Sequence, residues 1–210
     1  MDEYEKLVES LVFEGWLKTP AIIRAFLKIK REDFLPEELK KYAHFDEPLP
    51  IGFGQTISQP LVVAFMLELL EPKKGEKILD IGSGSGWTSS LLAEIVGEKG
   101  KVFALEVIPE LKEFGEKNSK KYNFVQKGIL EFFVGDGYEG LKEKAPFDKI
   151  LCSAALQKEV PNSWKEQLKI NGKIVTPIGT SLWLFEKETK NSLIGEEFPG
   201  FVFVPLIRKK

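Results

Sequence analysis

The sequence predicts an α/β fold: a doubly wound, mostly parallel sheet, preceded by an N-terminal helical extension and closed by antiparallel C-terminal strands. Three observations carry this. Short aliphatic runs alternate with helix-period segments from Lys77 to Thr176, the order that buries a parallel sheet under helices on both faces. The run Lys77–Ile81 ends in a turn bearing Gly82, Gly84 and Gly86, which opens directly into another apolar helical segment. Ahead of it, apolar residues recur at helical spacing.

In chain order, Leu7, Val8, Leu11, Val12 and Trp16 give residues 5–16 one apolar helical face. Thr19-Pro20 supplies an N-cap and an N1 proline, and Ile22, Ile23, Phe26 and Leu27 carry a second helix to Lys30, before Pro36 interrupts. Between Tyr42 and Pro60, Pro48, Pro50, Gly52 and Gly54 predict an ordered loop with few ladder hydrogen bonds. Loops of that length in compact domains are usually functional or disordered, and this one has little of the charge of disorder after Glu47. Residues 60–70 read as a buried helix. Strands are then expected at 77–81, 101–106, 130–134, 147–153 and 173–176, with helices at 87–96, 109–121 and 161–168. Trp183–Glu188 and Phe201–Ile207, separated by a polar stretch, are expected to form the closing antiparallel pair.

A chain of 210 residues with 43% hydrophobic content suits one α/β domain with a modest extension. Thirty basic and 32 acidic side chains are interspersed, for a net charge of −2, so no field holds nucleic acid or an anionic membrane by charge alone. The start of the chain lacks a basic segment followed by an apolar one, and no apolar run approaches the roughly 20 residues that span a bilayer. The expectation is a soluble, cytoplasmic protein with no membrane or nucleic-acid partner, acting as a monomer. A single cysteine, Cys152, excludes an intramolecular disulfide, and with one histidine, His44, it makes no conventional zinc site. No metal is expected. Cys152 reads as a small strand residue and His44 as a loop-packing one. The tail Arg208-Lys209-Lys210 is expected to fray.

In open parallel sheets ligands sit beyond the carboxyl ends of the strands, and four such ends agree. Asp80 precedes the glycine loop, and Glu106, 26 residues later, ends the next strand. Gly135-Asp136-Gly137 follows the third, and Cys152-Ser153-Ala154-Ala155 the fourth. Glycines permit positive φ and close approach of a nucleotide-like ligand, a carboxylate at Glu106 can take both hydroxyls of a ribose, and Asp136 can face an adenine. Singly, each is also an ordinary turn former or solvated strand end; three acids at successive strand ends favour the ligand. The dinucleotide fingerprint wants its third glycine three residues after the second, and Trp87 stands there. A nicotinamide oxidoreductase is therefore the weaker reading, and no Tyr-x-x-x-Lys pair supports it.

Asp80-Ile-Gly-Ser-Gly-Ser-Gly86 instead resembles motif I of the Rossmann-like class I methyltransferases. That resemblance implies S-adenosyl-L-methionine as methyl donor and S-adenosyl-L-homocysteine as product. It assigns cofactor contacts to Asp80, Gly82, Ser83, Gly84, Gly86, Trp87, Glu106, Asp136 and Gly137. The acceptor is narrowed by what is missing. There is no Pro-Cys for cytosine C5 and no Asp/Asn-Pro-Pro-Tyr/Phe for base amines, while a carboxylate, with a pKa of about 4, needs no base at all.

Leu49-Pro-Ile-Gly-Phe-Gly-Gln-Thr-Ile-Ser-Gln-Pro60 resembles the signature of the protein-L-isoaspartate (D-aspartate) O-methyltransferases. The likeness extends over nearly the whole chain, through Arg31-Glu-Asp-Phe-Leu-Pro36, Gly135–Gly140, Ala145–Ile150, Glu166-Gln-Leu168, Gly172, Pro177-Ile-Gly179 and Phe203-Val-Pro-Leu206. It implies one methyltransferase domain over 1–210, with residues 1–60 as helical extension and substrate loop and 61–210 as catalytic core. It places Ser58 at the catalytic centre, with Thr56, Ile57, Ser58 and Gln59 binding a protein or peptide substrate that contains isoaspartate. Ser58 can alternatively cap the helix that starts at Pro60. Phe53, Leu156-Gln157 and Thr180–Trp183 depart from the family pattern on the acceptor side. Trp87 stands where Tyr is usual and should keep its cofactor contact. Two other readings stay open: a methyltransferase of this fold acting on another small molecule, peptide or RNA, and a binding protein with little turnover.

Overall fold

A computed structural model describes residues 2–190 and 192–208; the expected fraying at Lys209 and Lys210 lies outside the described residues. The chain opens with α1 (Glu3–Phe13) and α2 (Pro20–Lys28). A capping box starts α1: Asp2 accepts the Glu5 N–H and Glu5 accepts the Asp2 N–H. Gly15, at φ 79°, ends it short of Trp16. Pro20 takes the N1 position of α2, which buries Ile22, Ala25 and Phe26.

Two 3-10 turns, at Arg31–Phe34 and Glu37–Tyr42, lead into the stretch expected to be a plain loop. It is in part a hairpin, β1 (Leu49–Gly52) paired antiparallel with β2 (Gln55–Ile57). Its tip, Gly52-Phe53-Gly54, lies wholly at positive φ. The glycines that read as loop punctuation are thus the bend of a ribbon, and Pro50 is tolerated because a two-stranded ribbon has only edge strands.

After α3 (Pro60–Leu70) the elements are β3 (Lys77–Ile81), α4 (Trp87–Val96), β4 (Lys101–Glu106), α5 (Pro109–Ser119), β5 (Leu130–Val134), β6 (Phe147–Cys152) and α6 (Asn162–Gln167). β7 (Leu168–Ile178), β8 (Ser181–Thr189) and β9 (Ser192–Pro199) follow. The sheet runs β5-β4-β3-β6-β7-β8-β9, with β8 and β9 antiparallel and the rest parallel. The closing partner of β8 is therefore not Phe201–Ile207 as expected but the polar stretch before it. An edge strand solvated along most of its length needs no apolar run, so its composition hides it. Residues 201–207 turn back over the sheet instead and make a parallel bridge at Pro205 to Ala155.

Alternation along β3 puts Ile78 into a core shared with α1 to α5, and Leu79 and Ile81 into a second core on the opposite face. That second face is covered by α6, whose Trp164 is fully buried and donates its indole N–H to the Gly137 carbonyl at 2.7 Å. Gln167 of α6 accepts from the Leu141 N–H and donates to the Glu139 carbonyl. The short helix so fixes the turn after β5 beside the carboxyl ends of the strands.

Between β3 and α4 the glycine loop lies against α5. A Cβ on Gly86, itself at φ 82°, would sit 2.7 Å from the Gly115 carbonyl oxygen and 2.9 Å from Ser119 Oγ. Backbone meets backbone there, and only glycine fits. We expect Gly86→Ala to lower unfolding stability by about 2–4 kcal/mol, summing left-handed strain and overpacking; urea titration followed by tryptophan fluorescence measures it.

Candidate active site

The chain runs from β3 outward through β4 to β5, then returns to β6 on the other side of β3. The crevice above β3 and β6 is the topological switch point, where no connection crosses the ends of the strands. A cavity occupies it, with about 680 Å³ of non-atom space when the open solvent at its mouth is counted. Gly82 to Ser85 and Thr88 line one side, Leu105 to Ile108 and Gly137 the next, and Ser153, Ala154 and Val204 to Ile207 the third. Gln55 to Ser58, from β2 and the residue after it, close the remaining side.

Eight of the residues singled out in the sequence therefore line one cavity: Thr56, Ile57, Ser58, Gly82, Ser83, Gly84, Glu106 and Gly137. Ser83 Oγ is buried there with no hydrogen-bond partner among the described residues, a hydroxyl that a polar ligand would satisfy. Glu106 accepts three backbone N–H groups, from Val107 (2.9 Å) and Ile108 (3.1 Å) at Oε1 and from Gly84 (2.9 Å) at Oε2. A carboxylate has about four lone-pair sites, which leaves one on Oε2 for a ligand hydroxyl. Gly84 packs under the hairpin: a Cβ there would lie 3.2 Å from Ile51 Cδ1.

The other five lie off the cavity wall. Asp80 is fully buried; its Oδ2 accepts from Ser89 Oγ at 2.5 Å and its Oδ1 has no partner among the described residues. Burial pushes its carboxyl up to about 7, against the pull of the Ser89 hydroxyl and with a further push from the charge of Glu106. Gly86 abuts α5. Trp87, expected against the cofactor, is 1% exposed and turned away: its indole N–H donates to the Ile29 carbonyl at 3.2 Å, and its ring meets Phe26 edge-on. An aromatic residue at the first turn of a helix packs wherever the neighbouring layer lies, and here α2 lies behind it. Asp136 accepts the Tyr138 N–H and caps the turn that presents Gly137. Gln59 donates to Asp46 Oδ2 at 3.0 Å.

The capping role open to Ser58 is filled by another residue. Gln59 is the N-cap of α3 with no side-chain cap bond, and Asp46 Oδ1 instead accepts the Leu61 N–H at 2.8 Å. None of the departures from the family pattern lines the cavity. Leu156 exchanges backbone bonds with Pro177 and Gly179, and the Thr180 carbonyl accepts from Gly200 and Phe201. Phe53 stands 60% exposed at the hairpin tip. Sequence reading passed over Thr88, Val107 and Ile108 as site residues; the apolar pair between Glu106 and the helix-starting Pro109 was the available signal for the last two. Among the described residues no three His, Cys, Asp or Glu side chains are grouped to hold a metal, and no helix is long and apolar enough to cross a membrane.

A glycine loop after the first parallel strand, an acid at the end of the second and an antiparallel strand pair at one edge of the sheet define a class I methyltransferase fold. Comparison with known proteins narrows this. The chain belongs to the protein-L-isoaspartate(D-aspartate) O-methyltransferase family, whose model matches residues 2–210. It is 43% identical over 207 residues to the protein-L-isoaspartate O-methyltransferase of Methanopyrus kandleri, covering 97% of this chain and 90% of that one. It is 43% identical over 211 residues to the Pyrococcus horikoshii enzyme of the same name, covering 98% and 93%. The fold superposes on a Plasmodium falciparum beta-aspartate methyltransferase solved with S-adenosyl-L-homocysteine, with a TM-score of 0.87, 24% identity and 99% of each chain covered.

The buried Asp80 gives the fold a pH dependence. Its pKa is raised on folding from 3.8 to about 7, so the folded chain holds a proton that the unfolded chain has released between those values. The stability this contributes is full below about pH 4 and is lost as pH rises through 7, a change on the order of 4 kcal/mol. We expect the melting temperature of the parent protein to fall between pH 5 and pH 8, and that of Asp80→Asn to fall less; parallel slopes in thermal scans would refute the assignment.

Proposed function

We propose that the protein transfers the methyl group of S-adenosyl-L-methionine to the free carboxylate of L-isoaspartyl residues in damaged proteins or peptides. The resulting methyl ester cyclises to a succinimide as the next backbone nitrogen attacks the ester carbonyl and methanol leaves, a step of protein repair. The observation that carries this reading is that Thr56, Ile57 and Ser58 border the same cavity as Ser83, Gly84 and Glu106, so acceptor and donor seats adjoin. Family membership supports it.

Ser83 and Glu106 suit the donor: one of its ribose hydroxyls matches the single lone pair left on Glu106, and its polar groups satisfy Ser83 Oγ. Bound there, it supplies a methyl already activated on a sulfonium. The task of the chain is then to line up the acceptor and keep water out. The Ser58 hydroxyl donates to one oxygen of the incoming carboxylate and leaves the other to attack. That carboxylate is ionised at neutral pH, so no base and no metal take part. Val204 and Leu206, opposite the hairpin, present apolar surface that strips water from it. The reading includes catalysis by a monomer, since residues of one chain line every side of the cavity. It also includes a cytoplasmic setting, which suits a chain with a single, buried cysteine.

Labelled methyl transfer to an isoaspartyl peptide, set beside its normal aspartyl twin, tests the function: we expect label on the first only, and label on neither would refute it. Ser58→Ala should lower kcat by roughly 10–100-fold through loss of acceptor alignment, with S-adenosyl-L-homocysteine binding by calorimetry unchanged within about threefold. Glu106→Gln should do the opposite, weakening that binding by roughly 10–100-fold as a charged hydrogen bond is lost.

A further inference from the structure

Arg31 is buried with no carboxylate in direct contact among the described residues, although Asp46 and Glu47 lie near enough to act on its charge. It is fully excluded from solvent and takes part in none of the ion pairs among the described residues. Four main-chain carbonyls take the place of a carboxylate. Nη1 donates to Ala43 (3.2 Å) and Phe45 (3.0 Å), and Nη2 donates to Glu47 (2.7 Å) and Ser58 (3.1 Å). Burial lowers its pKa to about 10, which leaves it charged at neutral pH. A cation in such a place is costly, and a bridge between the 3-10 turn and the 43–47 segment alone would require only three of the four bonds. The fourth reaches the carbonyl of the residue whose hydroxyl borders the cavity.

The other end of the same segment is tied to the donor side. Ile29, two residues earlier, accepts the indole N–H of Trp87, and the Arg31 guanidinium lies 5.6 Å from the centre of that ring. Trp87 directly follows Gly86, the last glycine of the loop. Asp46 adds a second tie between the 43–47 segment and the Ser58 loop, through the Leu61 N–H and the Gln59 amide. Residues 29–31 thus touch Trp87, which follows the glycine loop, on one side and the Ser58 carbonyl on the other.

We infer that Arg31 is a positioning residue for the methyl transfer proposed above: by holding the Ser58 carbonyl to the segment that anchors Trp87, its guanidinium keeps the acceptor loop in register with the donor loop. Only a planar fork spreads donors to four carbonyls; a lysine ammonium, with three donors on one atom, does not.

Arg31→Lys tests this, because it keeps the charge and most of the volume. Hydrogen exchange at Gln55–Ser58 and Leu61 should quicken by about tenfold or more, kcat on the isoaspartyl peptide should fall by roughly 10–100-fold, and S-adenosyl-L-homocysteine affinity should stay within about threefold of the parent. Arg31→Ala, assayed with added guanidinium ion, should regain part of its rate. If that variant does not fold, Arg31→Lys decides alone. Unchanged exchange in Arg31→Lys, unchanged kcat, or a loss of cofactor affinity matching the loss of kcat would each overturn the inference while leaving the function in place. A parent protein that binds S-adenosyl-L-homocysteine but leaves the peptide unmethylated would instead overturn the function, and the role of Arg31 with it.

Discussion

The parting of the chain above β3 and β6 is the constraint from which the site follows. Because the connections after these neighbouring strands leave in opposite directions, no helix can lie across their ends, and the gap has to be closed by pieces from elsewhere in the sequence. Two pieces do so, the β1–β2 hairpin from the first quarter of the chain and the Val204–Ile207 segment near its end. Each is seated on a glycine: Ile51 of the hairpin over Gly84, and Leu206 against Gly137, where a Cβ would come within 3.0 Å of Leu206 Cδ1. The glycines that looked like room for a ligand are in good part room for the protein's own walls.

Two acids at the ends of adjacent strands have been given opposite surroundings. Glu106 accepts three backbone N–H groups and lines the cavity; Asp80, one strand over, accepts one hydroxyl and is fully buried. Hydrogen bonds to the charged form stabilise it, and burial without them does the reverse. The first carboxylate is thus equipped to meet a ligand and the second to shape the loop from beneath, although in the sequence the two look alike.

Regular α/β alternation from Lys77 to Thr176 was legible because buried parallel strands are short, aliphatic and punctuated by glycine and proline; β7 begins five residues earlier and ends two later than its aliphatic run suggests. The hairpin and β9 were not legible, for related reasons. A two-stranded ribbon and an edge strand have half their backbone groups open to water, so they need neither apolar runs nor freedom from proline. Residues that line the cavity were legible when their chemistry is displayed at a strand end, as with Glu106, Ser83 and Gly137, and in the stretch around Ser58. Trp87 was misleading because position in a motif says where the backbone goes but not which way a ring turns, and Phe26 and the Ile29 carbonyl behind it decided that. Arg31 stood inside a quoted motif with no role attached. Its partners are carbonyls, which every residue has, so no pattern of side chains could announce it.

β9 has one more consequence. It leaves a row of backbone donors and acceptors open along the edge of a seven-stranded sheet, a surface on which any extended polypeptide could lay down an eighth strand. Ile194 is 54% exposed there, yet Glu196 and Glu197 follow it on the same strand and Pro199, with no N–H to offer, ends it. A protein that works on damaged chains meets segments that damage leaves exposed, and exposed segments of high β-propensity are prone to β-aggregation. The two glutamates and the proline are what keep its own edge from joining them.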